Sequence, residues 1–152
     1  MTEDLNSNLK DALEHGLVQS LMHLNLSFFP GGSRRFGYHH VESDIDYIVG
    51  IKDPEEFRRL INSLEHSKFH NVSPHSTYMG TTFGWYGLIH VVILASEKAF
   101  NACKQEHLDV DKLLRDEPEY IEFAKEMKAS GVKGDVIFKS LVAAARSRKK
   151  RC

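Results

Sequence analysis

Asp44 and Asp46 are separated by the single residue Ile45 in the run Glu42-Ser43-Asp44-Ile45-Asp46-Tyr47-Ile48-Val49. On a strand, side chains at i and i+2 share a face, so both carboxylates project together while Ile45 turns away. Two adjacent carboxylates repel, which is a poor choice for stability alone. A cation between them gives the pair a purpose, and hard divalent cations such as Mg²⁺ take carboxylate oxygens and share them with substrate phosphates. Upstream lies Gly31-Gly32-Ser33-Arg34-Arg35-Phe36-Gly37. Its glycines permit positive φ and close approach of the backbone to a ligand. Ser33 at a helix start leaves backbone N–H groups to meet phosphate oxygens, and Arg34 and Arg35 add positive charge beside them. One end of the stretch suits phosphates and the other suits a metal.

Gly32-Ser33, ten intervening residues, and Asp44-Ile45-Asp46 together resemble the signature of the DNA polymerase β-like nucleotidyltransferase superfamily. Gly32-Ser33-Arg34-Arg35-Phe36-Gly37 and Ser43-Asp44-Ile45-Asp46 are similar to the small bacterial and phage members of that family. The signal is fairly specific because two half-motifs agree in spacing and context. The close match covers about a fifth of the chain, and the order of elements extends it to roughly two thirds. The resemblance implies a minimal nucleotidyltransferase fold, α+β in class, with a small mixed sheet flanked by helices and a helical C-terminal part. It implies a metal-dependent transfer of a nucleoside monophosphate from a nucleoside triphosphate, ATP included, to an acceptor. Asp44 and Asp46 would hold Mg²⁺ or Mn²⁺, and Gly32 and Ser33 would hold phosphates with Arg34 or Arg35 nearby. The alternative to the family reading is a glycine-rich turn followed by an edge strand with two solvated aspartates.

The family places a third carboxylate on a later strand. Here the obvious later strand is Leu88 to Leu94, and the polar residue in its middle is His90. A neutral imidazole is a poor Mg²⁺ ligand but suits Mn²⁺ and other transition metals. It also suits general-base work on an acceptor hydroxyl. The structural reading of His90 is a half-buried histidine bonded to its sheet neighbours, and all three roles stay open. If His90 is structural, the chain binds nucleotide without chemistry, as a binding or regulatory module such as an antitoxin-like partner or a nucleotide sensor. Asp109 and Asp111 form a second Asp-x-Asp, but they fall where a helix cap is expected. His39 and His40 lie in the link. Tyr78, Trp85 and Tyr86 are candidates for a wall against a base, or simply for cross-strand packing.

The elements that must position these residues follow from periodicity. Leu5, Leu9, Leu13, Leu17, Leu21 and Leu24 predict a helix over 3–24, and Leu26 to Phe29 a short strand ended by Pro30. Asp53-Pro54-Glu55-Glu56 predicts a capped helix to about Glu65, with Phe57, Leu60, Ile61 and Leu64 inward. A strand is expected over 69–72, then a hairpin of 77–86 and 87–94 turning near Gly84-Trp85-Tyr86-Gly87. Helices are expected over 96–106 and 111–128, the second interrupted or bent near Pro118 and stopped by Gly131. A last helix capped by Asp135 runs to about Arg146, burying Val136, Ile137, Leu141, Val142 and Ala145.

The 152 residues suit one domain, divided as an α/β core over 1–95, a helical part over 96–147 and a basic tail over 148–152. A net charge of -1 offers no global attraction for nucleic acid, so binding through the basic run 146–151 alone is a weak reading. Cys103 and Cys152 lack metal-type spacing and suit a reducing cytoplasm. No signal-peptide pattern and no run of the ~20 apolar residues that span a bilayer is seen. The acceptor is left open between a small molecule, a protein side chain and an RNA end.

Overall fold

The computed structural model describes residues 2–39, 45–65, 72–76, 81–85 and 89–151. The chain is mixed α+β, with the order α1 (Thr2–His23), β1 (Ser27–Gly31), α2 (Gly32–Phe36), β2 (Ile45–Gly50), α3 (Pro54–Glu65), β3 (Val72–Ser76), β4 (Thr81–Trp85), β5 (Ile89–Leu94), α4 (Glu97–Asp116), α5 (Glu119–Ala129) and α6 (Gly134–Arg151). It divides into two compact units, one of residues 1–30 and 44–100, the other of 31–43 and 101–152. Among the described residues no helix is long and apolar enough to cross a membrane.

The first unit is built on a mixed sheet with strand order β1-β2-β5-β4-β3. β2 and β5 run parallel, while β5/β4 and β4/β3 are antiparallel. Both central strands are apolar runs, and alternation divides their residues between two faces. Ile45, Tyr47 and Val49 of β2 and Ile89, Val91 and Ile93 of β5 form one face, packed with Leu13, Leu17, Leu21 and Leu60 of α1 and α3. α3 starts as its sequence requires. The Glu56 N–H donates to Asp53 Oδ1 at 2.8 Å, and the Lys52 N–H donates to Glu56 Oε1 at 2.7 Å. β3 is the edge strand, the place in a sheet where a proline such as Pro74 is tolerated. Of the strand expected over 69–72, only Val72 is in β3, and 69–71 lie outside the described residues. Gly84 and Trp85, expected in a turn, belong to β4 and pair with His90 and Ile89. Residues 86–88 lie outside the described residues.

The second unit is helical. The expected break over 107–110 does not occur, and α4 runs unbroken from Glu97 to Asp116. Nothing in His107-Leu108-Asp109-Val110 stops a helix, and Val110 and Leu113 are buried on its inner side. The Ala99 N–H donates to Ser96 Oγ at 3.0 Å, a conventional N-cap. The interruption comes at Pro118, and α5 ends before Gly131, whose φ is +86°. Asp135 is not the cap of α6. It lies inside the first turn, and the Val136 and Ile137 N–H groups donate to the Lys133 carbonyl. Ile137, Leu141, Val142 and Ala145 are buried as their spacing predicts, but Val136 is 47% exposed. The helix continues past the expected end at Arg146 to Arg151, so Arg148 to Arg151 is helical. Arg148 Nη1 lies 3.0 Å from Asp116 Oδ2 and Lys149 Nζ 2.7 Å from Asp109 Oδ1, which anchors the basic turn to α4.

Candidate functional site

β2 and β5 are in parallel register with Asp46 opposite His90 and Ile48 opposite Val92. Neighbouring strands share their pleat, so Asp46 and His90 stand on the face opposite to Tyr47 and Val91. His90 Nδ1 lies 3.5 Å from Asp46 Oδ1, and the two side chains keep 31% and 26% of their surface exposed. One row along the same face, Ile48 and Val92 are buried. The pair therefore forms an accessible polar end on an otherwise apolar strand pair. Across the sheet His90 is opposite Gly84 of β4. Asp44 lies outside the described residues, as do Glu42, His40, Tyr78 and Tyr86. Among the described residues, no three His, Cys, Asp or Glu gather as a metal cage. The donors are one carboxylate and one imidazole, which fits a divalent metal completed by other ligands better than a closed structural site.

On the opposite face, the Tyr47 hydroxyl donates to Glu14 Oε2 at 3.0 Å. Burial, with the Glu14 charge and this hydrogen bond, pushes the phenol up to about 12. Tyr47 thus ties β2 to α1 behind the Asp46 position.

Gly32, Ser33, Arg34 and Arg35 belong to the second unit and form α2 with Phe36. Gly32 at φ +74° and Gly37 at φ +82° occupy the left-handed region that favours glycine. Gly37 ends the helix, and both its N–H and that of Tyr38 donate to the Ser33 carbonyl. Phe36 fixes α2 in the unit's core. Its ring stacks on Phe138 at 5.8 Å and on His107 at 5.6 Å. His107 is 1% exposed, and its Nδ1–H donates to the Cys103 carbonyl at 2.8 Å. Burial, reinforced by Glu106, pushes the Cys103 thiol up to about 12, with Arg35 opposing, so this cysteine is inert packing.

Two partners of the Gly-Ser turn escaped the sequence reading. Lys128 Nζ of α5 donates to Ser33 Oγ at 3.1 Å and stands 6.0 Å from the Tyr38 ring centre. It brings a cation to the hydroxyl that the motif singles out. Arg35 is held by Asp111 of α4, with Nε to Oδ1 at 3.2 Å and Nη2 to Oδ2 at 2.7 Å. Asp111 is thus a mid-helix partner for Arg35 and not a cap. Asp109 is not a cap either. Burial opposes its ionisation, but hydrogen bonds from Lys149 and Gln105 and the Lys149 and Arg146 charges hold its carboxyl below the usual range. The partners lie far away in sequence, and only the nearby spacing Asp109-Val110-Asp111 hinted that these acids had work to do.

Searches against protein-family models and against curated proteins find no match to this chain.

Proposed function

We propose that the chain is a metal-dependent nucleotidyltransferase of minimal size. It moves a nucleoside monophosphate from a nucleoside triphosphate to an acceptor hydroxyl on a small molecule, a protein or an RNA end. The observation that carries this reading is the Asp46–His90 pair, in register on adjacent parallel strands and open at one end. It stands downstream of a Gly32-Ser33 turn at the spacing that the nucleotidyltransferase signature uses.

In this reading the acceptor oxygen forms a bond to the α-phosphorus while the bond to the β-phosphate oxygen breaks and pyrophosphate leaves. Asp46, with Asp44 as its sequence partner, would hold a Mg²⁺ or Mn²⁺ ion, which would neutralise charge on the phosphates. Gly32 and Ser33 bind phosphate oxygens, and Lys128 and Arg34 add positive charge at that turn. Arg35 works indirectly, by holding α2 to α4 through Asp111. The chain's contribution is positioning and electrostatics, which suits so few polar groups.

The test is incubation of the protein with each labelled nucleoside triphosphate and Mg²⁺ or Mn²⁺. Pyrophosphate release and label on the protein, RNA or a small acceptor support the reading. Release unaltered in Asp46→Asn would remove it. A second reading rests on His90 itself, an imidazole at the place where the family resemblance implies a carboxylate. It makes the chain a nucleotide-binding or regulatory module without transfer. Nucleotide binding without pyrophosphate release with any triphosphate favours that reading.

A further inference from the structure

The second unit differs in charge from the chain as a whole. Residues 31–43 and 101–152 hold fourteen Lys and Arg against ten Asp and Glu, a net +4, whereas the full chain is at -1. A chain-wide sum hides this local field, so the low net charge does not argue against a polyanion here. From the way the charge is arranged we infer that the face shared by α4 and α6 binds the phosphodiester backbone of a single-stranded nucleic acid. This binding does not depend on the transferase reading.

α4 and α6 enclose a cavity of about 200 Å³. Lys112, Arg148 and Lys149 bring three cations to its wall, and Asp109 and Asp116 bring two acids. The acids hold cations in place without using them up. Lys149 Nζ lies 2.7 Å from Asp109 Oδ1 and the side chain is still 58% exposed. An ammonium has three donors, and Asp109 takes one of them. Arg148 Nη1 is 3.0 Å from Asp116 Oδ2 yet makes no hydrogen bond, so the carboxylate holds the guanidinium by charge rather than by a directed bond. Cations fixed in advance lower the ordering cost of binding.

Further cations extend the cavity wall into a strip. Arg115 follows Lys112 by three residues on α4, and Lys150 follows Arg146 by four on α6, so each pair shares a helix side. Lys112, Arg115 and Lys150 are exposed and have no ion-pair partner among the described residues. At about 1.5 Å rise per residue, each pair spreads over roughly 5–6 Å along its helix. A row of charges suits a row of phosphates better than one small anion. No aromatic residue lines the cavity, so the strip reads backbone and not bases. An anionic membrane is the competing partner, and it needs apolar side chains beside the cations to insert. Leu113 and Ala145 in the cavity are 1% and 4% exposed, and the exposed large apolar residues described on α4 and α6 are Leu108 and Val136 alone.

The experiment is fluorescence anisotropy of labelled single strands of about 20 nucleotides, RNA and DNA of one sequence, with the full chain in about 50 mM salt and no triphosphate. Binding should have a Kd on the order of 10 μM, and log K should fall against log salt with a slope of about −2, as for three phosphates. Comparing the two strands tells which nucleic acid supplies the backbone. Lys112→Glu, Arg115→Glu and Lys150→Glu combined should weaken binding by tenfold or more and flatten the salt slope. Asp116→Asn should tighten binding severalfold, because Arg148 loses its counter-charge. Lys133→Glu, just before the far end of α6, should change binding less than twofold. Circular dichroism checks that each variant folds. No binding of either strand at about 100 μM chain overturns the inference. So does a triple variant that binds like wild type, or a Lys133→Glu loss as large as the triple variant's, which would mean net charge alone. Neither strand bound, with phosphatidylserine vesicles bound through the same three residues, overturns it in favour of a membrane. Pyrophosphate release in the separate nucleotide assay reports on the transferase reading independently of these outcomes.

Discussion

Arg35 and Asp111 form a two-pronged ion pair between α2 and α4, with Nη2 2.7 Å from Oδ2 and Nε 3.2 Å from Oδ1. Both side chains are largely covered, at 16% and 30% exposure. The fork geometry is the strong form of the guanidinium–carboxylate contact. It ties α2, which carries the Gly-Ser turn, to α4. Asp111→Asn keeps the shape but removes the charge, and it should destabilise the protein by about 1–3 kcal/mol. Urea unfolding of Asp111→Asn, Arg35→Gln and the double variant checks this. A coupling energy near zero in that cycle would show that the pair contributes nothing.

Gly50 at the end of β2 faces Phe100. A Cβ there would stand 2.8 Å from the Cγ and Cδ2 atoms of that ring. The ring cannot yield freely because Phe29 packs against it with centroids 5.3 Å apart. Gly50→Ala should therefore cost about 1–3 kcal/mol through overpacking. Adding Phe100→Leu should recover part of that loss. Thermal melts of the two variants, alone and combined, measure it, and simple additivity would contradict the clash.

Tyr47 governs the alkaline limit. Its phenol is pushed up to about 12 by burial and by Glu14. A raised value in the fold means that this contribution is whole below the unfolded value of about 10 and is lost as pH rises toward the folded one. Wild-type stability should fall between about pH 10 and 12, and Tyr47→Phe should lack that component. Urea midpoints across that range compare the two, and parallel curves would mean that Tyr47 titrates normally.

A divalent cation that binds only the folded chain must raise its melting temperature by mass action. At a hundredfold excess over Kd, the gain is about 2.7 kcal/mol. Asp46→Asn should lower that gain, while the exposed Glu119→Gln on α5 should leave it intact. Differential scanning fluorimetry with Mg²⁺ and Mn²⁺ reads the effect. Equal gains in wild type and Asp46→Asn would place the metal elsewhere.

Local signals in this chain were enough for its central strands and for the start of α3. The apolar runs around Ile48 and Val92 announce buried strands, because they are of strand length and rich in β-branched residues. Asp53-Pro54-Glu55-Glu56 announces the start of α3, because the cap satisfies N–H groups within three residues of itself. The place of His90 in a strand beside that of Asp46 was readable from residue type and period alone. The sequence misled where a polar pattern had two uses. Asp109-Val110-Asp111 reads as a cap until α4 is seen to pass through it. Only tertiary structure could supply the partners. Ser33 and Lys128 are 95 residues apart, and Arg35 and Asp111 are 76 apart. No periodicity reaches across such distances. Those contacts exist because buried apolar residues such as Phe36, Phe138 and Leu141 decide which helices pack. The polar side chains then pair with whatever the packing brings within reach. The same holds for the 3.5 Å between Asp46 and His90. Composition shows that both residues are present, but the parallel register of β2 and β5 sets them side by side.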